Sequence, residues 1–260
     1  MDTEYAHRYR DLYSRHWWWR AREHVIVSTL RSLAPATGWR SILDVGCGDG
    51  LFFDRLAEFG DVEGVESDAS LVDPGGRWAS RICIQPFDET FQPRKQYGLI
   101  TMLDVVEHLP DAGAAVRRAV GLLEPGGTLL VTVPAFQALW TSHDDFNHHV
   151  QRFTRQTLAR LVEGVGLETV AIRYFFFWTC PVKLLVRFKE RVLRSPSERA
   201  RVPAAIVNRA LYGLSRLEET SLGRLPIPFG SSLLFVGRRR DSTRGLEAGG
   251  QGWGEFGIEN

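Results

Sequence analysis

The sequence predicts an α/β fold, a parallel sheet with helices on both faces, and three observations carry that expectation. Short β-branched or aliphatic runs alternate with segments of helical period. One of these runs ends in a glycine-rich turn that opens a helix, ILDVGCGDG at 42–50. The 260 residues, 44% hydrophobic and 24% charged, suit one large globular domain or a domain with an added lobe, and suffice to bury a sizeable core.

Residues 2–34 read as helical, because Leu12, Trp19, Ile26, Leu30 and Leu33 recur near one stripe before Pro35 and Gly38 close the segment. Within it HWWWR, 16–20, sets three tryptophans around the helix, which asks for contact on more than one side: core, substrate or membrane. Strands follow at 41–45, 62–66, 81–84, 97–102 and 127–133, with helices near 50–59 and 111–123. Thr154 is a suitable N-cap for a helix over 155–164, and 168–178 returns to a strand pattern.

After Pro181 the period changes. In VKLLVRFKERVLR, 182–194, Lys183, Arg187, Arg191 and Arg194 fall on one helical face and Val182, Leu185, Val186 and Leu193 on the other, a basic amphipathic helix. A second helix, roughly 204–219, places Val207, Ala210, Leu211, Leu214 and Leu217 on one stripe, as a packed helix would. The run 231–239 reads as the last strand, and the glycine-rich tail as disordered. The expected division is a helical cap at 1–38, a core at 39–180, a helical insertion at 181–230, the last core strand at 231–239 and a disordered tail at 240–260.

Cys47, Cys83 and Cys180 are scattered, odd in number and without CxxC spacing, which argues against a disulfide framework or a thiolate zinc site and points to a reducing, cytoplasmic compartment. The charged start lacks the apolar stretch of a secretory signal, and no apolar run approaches the roughly 20 residues that span a bilayer. The net charge of +1 conceals two halves: residues 1–150 hold 14 Lys/Arg against 21 Asp/Glu, and 151–260 hold 18 against 10. Within 171–224, 11 basic and 4 acidic residues are interleaved with aromatics, which suits an acidic partner such as phospholipid, against the plain reading of a solvated basic face.

The glycine turn has the form D-x-G-x-G-x-G, from Asp44 through Gly46 and Gly48 to Gly50. A nicotinamide or flavin fingerprint would need a glycine at 51, where Leu51 stands. Twenty residues past Gly46, Glu66 ends the second predicted strand, placed to accept both hydroxyls of an adenosine ribose. Together with LDVVEHLPD at 103–111 and LLEPGGTLLVTVP at 122–134, these residues resemble the class I S-adenosylmethionine-dependent methyltransferases over about 40–170, in particular the ubiquinone-type small-molecule enzymes.

That resemblance implies a Rossmann-like, mostly parallel sheet of seven strands with the last antiparallel, and S-adenosylmethionine as cofactor. It implies that Gly46 and Gly48, with Cys47 and Gly50 in the same turn, pass beneath the methionine moiety while Asp44 orients its ammonium group. Glu66, with Ser67 beside it, would grip the ribose, Asp88 would approach the adenine amine, and Leu103 and Asp104 would line the cofactor and substrate side. For Asp88 and Asp104 the competing reading is turn chemistry or helix capping.

An oxygen acceptor also needs a base. WTSHDDFNHHVQRFT, 140–154, gathers polar groups after the fifth strand, and His143, oriented by Asp144 or Asp145, is the candidate. Trp17, Trp18, His108, His148, His149 and Arg152 are the substrate-side candidates; the competing reading is a polar lid that only hydrogen-bonds backbone. Asp104, Glu107 and His108 form D-x-x-E-H, resembling the E-x-x-E-H of ubiquinone-type enzymes, some of which are thought to use a divalent cation. A capping acid and a packing histidine explain it as well, so no metal is expected. The Asn/Asp-Pro-Pro-aromatic signature of nucleic-acid amine methylation is absent at 103–107, which argues against a nucleic-acid substrate.

The expected function is methyl transfer from S-adenosylmethionine to a small-molecule or lipid-like acceptor at oxygen, in the cytoplasm, with contact to an anionic membrane face through the aromatic and basic segment 174–194. The alternatives are a non-catalytic S-adenosylmethionine-binding or membrane-peripheral adaptor and, disfavoured by Leu51, a nicotinamide-dependent oxidoreductase.

Overall fold

The computed structural model describes residues 3–193, 200–223 and 225–241, with side chains from Tyr9 onward. The expected disordered tail, beyond Asp241, and Arg194 lie outside the described residues.

Two helices stand where one was expected at the start, α1 (Thr3–Arg15) and α2 (Trp17–Leu33). The break is at His16, whose backbone is extended and whose Nδ1 accepts a hydrogen bond from the Trp18 N–H at 3.1 Å. An imidazole can cap a helix in this way only while neutral, and burial lowers the pKa of His16 to about 4. Free imidazole titrates near 6.5, so between these values the unfolded chain takes the proton first and folding becomes less favourable as pH falls. His16→Ala is expected to cost about 1 kcal/mol, and its melting temperature should depend less on pH than that of the wild type between about pH 4 and 6.5. A thermal-melt series across that window measures both effects.

The remaining elements are β1 (Trp39–Val45), α3 (Phe53–Leu56), β2 (Gly60–Glu66), β3 (Ile82–Ile84), β4 (Tyr97–Leu103), α4 (Ala112–Leu122), β5 (Leu123–Pro134), α5 (Ser142–Phe146), α6 (Arg155–Leu161), β6 (Leu167–Phe175), α7 (Thr179–Leu193), α8 (Ala205–Leu222) and β7 (Ser232–Arg239). Thr154 caps α6, accepting the Thr157 N–H at 3.1 Å. The seven strands form one sheet ordered β3-β2-β1-β4-β5-β7-β6, in which β7 alone runs antiparallel to its neighbours. This is the expected Rossmann-like arrangement. Strand order reverses between β1 and β4, and the carboxyl ends of parallel strands at such a point leave a crevice for a ligand.

Hydrophobic clusters cover both faces of the sheet. One includes Ile100, Val116, Leu129 and Leu158 beneath α4 and α6, the other Ile26, Leu30, Ile42 and Phe53 beneath α2 and α3.

The strand expected over 168–178 ends at Phe175, because Phe176 turns the chain with a φ of +59°. α7 starts at Thr179, so Pro181 sits in its first turn, where the missing N–H costs no helical hydrogen bond.

Both inserted helices turn their polar sides inward, which corrects the packing expected of α8. Its buried residues are Asn208, Ser215 and Glu218, while Val207, Leu214 and Leu217 are exposed. The physical reason is unmet backbone and indole donors beneath it. Asn208 accepts the Trp17 N–H at 2.8 Å and donates to the Arg15 carbonyl at 2.8 Å, bridging α1 and α2. Glu218 accepts the Trp178 N–H at 2.8 Å, and Ser215 accepts the Trp178 indole N–H at 3.2 Å.

On α7 the half-buried residues are Lys183, Val186, Arg187 and Glu190. Arg187 donates to the Gln137 carbonyl at 2.8 Å, and Glu190 accepts from the Ser142 hydroxyl at 2.7 Å. The opposite side carries Leu185, Phe188 and Val192, each at least 60% exposed. Among the described residues no helix is long and apolar enough to cross a membrane.

Candidate active site

The glycine turn leaves β1 at the crevice. Gly46, Gly48 and Gly50 all have positive φ, and a Cβ on Gly46 would stand 2.7 Å from Val105. Above Gly48 a Cβ would meet nothing within 4 Å, so the backbone there presents an open cradle. Glu66, at the carboxyl end of β2, accepts the Gly48 N–H and the Asp68 N–H, each at 2.9 Å, and contacts the Ser67 hydroxyl at 3.4 Å. A carboxylate has about four acceptor positions, and those not taken by backbone remain for a diol.

Asp44 is buried at the end of β1 and accepts the Thr101 hydroxyl at 2.6 Å. Burial raises its pKa to about 7, so a neighbouring cation would draw it into its charged form. Cradle, free acceptor capacity and buried acid together fit a cofactor with a ribose and a positively charged methionine group. Cys47 is half-buried in the turn, and its thiol is pushed up, chiefly by burial, which disfavours the thiolate.

Asp88 is in an exposed loop, its carboxylate engaged by the Thr90 N–H at 2.8 Å and hydroxyl at 2.6 Å. That is the turn chemistry weighed against a cofactor role. Leu103 packs into the core beneath α2 and α3. Asp104 has a φ of +59° and pairs with Arg22 of α2 at 2.9 Å, while Thr132 of β5 donates to it at 3.0 Å. Arg22 was not anticipated from the sequence, nor was Arg10 of α1, which pairs with Asp49 of the glycine turn at 2.6 Å and with Asp73 at 3.2 Å. These two arginines fasten the N-terminal helices over both sides of the crevice.

The tryptophans contribute mostly to packing. Trp17 lies against Trp178 at 5.2 Å between ring centroids and against Phe176 at 6.2 Å. Trp18 lies against Phe176 at 5.8 Å and adjoins the site through Arg22, whose guanidinium is 5.7 Å from its ring.

After β5, the buried Asp144 organises the loop. Arg152 grips it twice, at 2.8 and 2.9 Å, and also donates to the Ala135 carbonyl at 2.9 Å. The Thr141 N–H donates to the same carboxylate at 2.8 Å, and Nδ1 of His149 stands 2.8 Å from it. The hydrogen bonds from His149 and Arg152 outweigh the cost of burial and hold Asp144 well below the usual carboxylate range.

His143, the expected base, is not oriented by either neighbouring acid. Its ring nitrogen contacts Asn147 at 3.2 Å, and Asp145 accepts from the Trp140 indole at 2.9 Å. His148 is exposed with a φ of +57°. The ring of His108 meets that of His149 edge-on at 4.8 Å.

Glu107 is wholly buried, and neither of its carboxyl oxygens has a hydrogen-bond partner among the described residues. Burial, and Asp104 after it, raise its pKa well above the ordinary carboxylate range. The ligand atoms of Glu107, His108 and His149 lie within 4.8 Å of one another, a set that could hold a divalent cation. Asp104, the first acid of D-x-x-E-H, is engaged by Arg22 instead.

A family model described as a methyltransferase domain matches residues 18–172. Among curated proteins, the ubiquinone biosynthesis O-methyltransferase of Idiomarina loihiensis is 31% identical over 161 residues, covering 53% of this chain and 65% of that one. That of Azorhizobium caulinodans is 31% identical over 155 residues, covering 57% and 51%. The matches thus span about half to just under two thirds of these relatives' lengths.

In structure, the chain is similar to a methyltransferase in complex with the Trm112 methyltransferase activator of Haloferax volcanii, with a TM-score of 0.57, 15% identity and coverage of 91% of this chain and 95% of the other. A SAM-dependent methyltransferase of Archaeoglobus fulgidus gives a TM-score of 0.52 at 17% identity, over 84% and 94%. At these identities the structural likeness speaks for the fold alone.

Proposed function

Because the chain belongs to the methyltransferase-domain family, with the fold of the class I S-adenosylmethionine-dependent enzymes, we propose that it methylates an oxygen of a hydrophobic, lipid-like small molecule at the surface of an anionic membrane. The observation that carries the oxygen assignment is the Asp144–His149 pair, whose 2.8 Å contact fixes which ring nitrogen bears the proton. With Nδ1–H given to Asp144, Nε2 is left to accept the acceptor's hydroxyl proton. The base we assign is therefore His149.

When bound, the cofactor supplies the electrophilic methyl group on its sulfonium. The chain's own task is alignment and exclusion of water. Asp44 faces the ammonium group, Glu66 takes the ribose hydroxyls, and Arg22 ties the cap to Asp104 at the mouth. The 31% identity to relatives named ubiquinone biosynthesis O-methyltransferases supports an oxygen as the acceptor atom.

Calorimetry with S-adenosylhomocysteine and turnover on a panel of hydrophobic phenols test this reading. His149→Ala should lower kcat by about 100-fold, the usual scale of general-base catalysis, with S-adenosylhomocysteine affinity unchanged. His143→Ala should stay near the wild-type rate. The reverse pattern would return the base to His143.

The membrane part rests on the outward apolar side of α7, with Leu185 at 68% and Phe188 at 67% exposure next to exposed Lys189 and Arg191. Sedimentation with phosphatidylglycerol vesicles should retain the wild type at low salt, and the double variant Leu185→Asp, Phe188→Asp should stay in the supernatant. Equal retention of both would remove α7 from the interface.

A further inference from the structure

Lysine is rare in this chain: of 32 basic side chains only Lys95, Lys183 and Lys189 are lysines. Lys95 pairs with Glu63 at 2.9 Å, and Lys189 is exposed on α7. Lys183 points inward from the first turns of α7. The groups whose charges reach it are Arg152 and Asp144 from the loop after β5, Asp104 from the end of β4, Cys180 from α7 itself and His143 of α5.

The charged partners in this cluster are already matched, Asp144 by Arg152 at 2.8 Å and Asp104 by Arg22 of α2 at 2.9 Å. Lys183 has no carboxylate within 4.0 Å among the described residues. Burial, and Arg152 after it, push its ammonium down to about 8 in spite of the two aspartates. At neutral pH it is thus a charged, partly desolvated donor with three hydrogens and no acid of its own, an arrangement that costs free energy unless an anion completes it.

We propose that Lys183 is a specificity-determining residue of the acceptor pocket, binding an acidic group, carboxylate or phosphate, carried by the same molecule as the methylated hydroxyl. This rests on the methyltransferase reading above. The neighbours of Lys183 assign the anion to the acceptor and not to the cofactor. They come from the end of β4, from α7 and from the loop after β5, where Arg187 and Glu190, half-buried on α7 like Lys183, meet Gln137 and Ser142, and none belongs to the glycine turn or to β2. An amphiphile with an acidic head would lie with its tail along the outward side of α7 and its head beneath the inward side.

The test labels the lysines by reductive methylation with carbon-13 formaldehyde, which keeps their charge, and identifies the Lys183 resonance by its absence in Lys183→Arg. Each resonance is titrated with pH in the presence of S-adenosylhomocysteine, alone and with salicylate, methyl salicylate or octyl phosphate. Lys183 should titrate lowest of the three lysines. Its midpoint should move up with salicylate or octyl phosphate and stay in place with the neutral ester, and the stronger of the two anionic responses identifies a free carboxylate or a lipid-like phosphate as the source.

Lys183→Met should weaken binding of the responding anion by about tenfold, the scale of one charge-assisted hydrogen bond, with methyl salicylate and S-adenosylhomocysteine bound as in the wild type. A resonance indifferent to both anions, or one that answers the ester equally, overturns the proposal. Loss of S-adenosylhomocysteine affinity in Lys183→Met overturns it as well, by giving the ammonium to the cofactor's own carboxylate. The methyltransferase reading fails separately, if the wild type binds no S-adenosylhomocysteine.

Discussion

Alanine at position 66 is expected to weaken S-adenosylhomocysteine binding by at least about 100-fold, the equivalent of about 3 kcal/mol or two charge-assisted hydrogen bonds. Glu66 acts twice. Its carboxylate holds the Gly48 and Asp68 N–H groups at 2.9 Å, which fixes the open glycine turn against the end of β2, and its remaining lone pairs face the crevice where a ribose diol would lie. Removing it slackens the cradle and deletes the acceptor together. Glu66→Gln separates the two effects, because the amide keeps one acceptor oxygen for the backbone but cannot accept from both a backbone pair and a diol. Calorimetry on both variants decides the matter. If Glu66→Ala binds S-adenosylhomocysteine as tightly as the wild type, the ribose lies elsewhere.

Asp144→Ala should be the most damaging single change for folding. The carboxylate is wholly buried and receives Arg152 at 2.8 and 2.9 Å, His149 at 2.8 Å and the Thr141 N–H at 2.8 Å. Its loss strands a buried guanidinium, a change that costs about 3–5 kcal/mol and lowers the melting temperature by roughly 10 °C in a chain of this size. The double variant Asp144→Ala, Arg152→Ala should be less destabilised than the sum of the two single variants, because the stranded charge leaves with its partner.

The pH dependence follows from the direction of the shift. Asp144 is held below the ordinary carboxylate range, so its stabilisation is complete above about pH 4 and is lost as pH falls below that value. Urea midpoints from neutral to acidic pH should fall more steeply for the wild type than for Asp144→Ala.

The parts that were legible in the sequence are those whose signal is local. β1 with its glycine turn, Glu66 at the end of β2, and the Thr154 cap each depend on residue types at fixed short spacings, and they stand where those spacings put them. The run YFFFW at 174–178 overstated β6, because apolar residues continue through a turn made by one left-handed residue, Phe176. A helical stripe also has no sign: its spacing identifies two faces but not which one packs. In α8 the inner face was decided by donors far away in sequence, such as the Trp17 and Trp178 N–H groups.

The site's electrostatics were illegible for the same reason. Arg22 finds Asp104 and Arg10 finds Asp49 only after the sheet has closed. In the loop HDDFNHHVQR the choice of Asp144 for His149, and not for His143, depends on how a five-residue helix turns its side chains.

The outward apolar sides of α7 and α8 would alter how the kinetics are read under the membrane proposal. With one substrate dissolved in water and the other in a lipid film, the two would meet the chain from different phases. Rate then depends on the acceptor's mole fraction in the surface and not on its bulk concentration, and diluting the film with inert lipid should slow turnover at constant total acceptor. The products also part company. On that proposal methylation would cap a hydroxyl and drive the product deeper into the film, while S-adenosylhomocysteine would escape into the aqueous side, so each would leave by its own exit and neither would need to wait for the other.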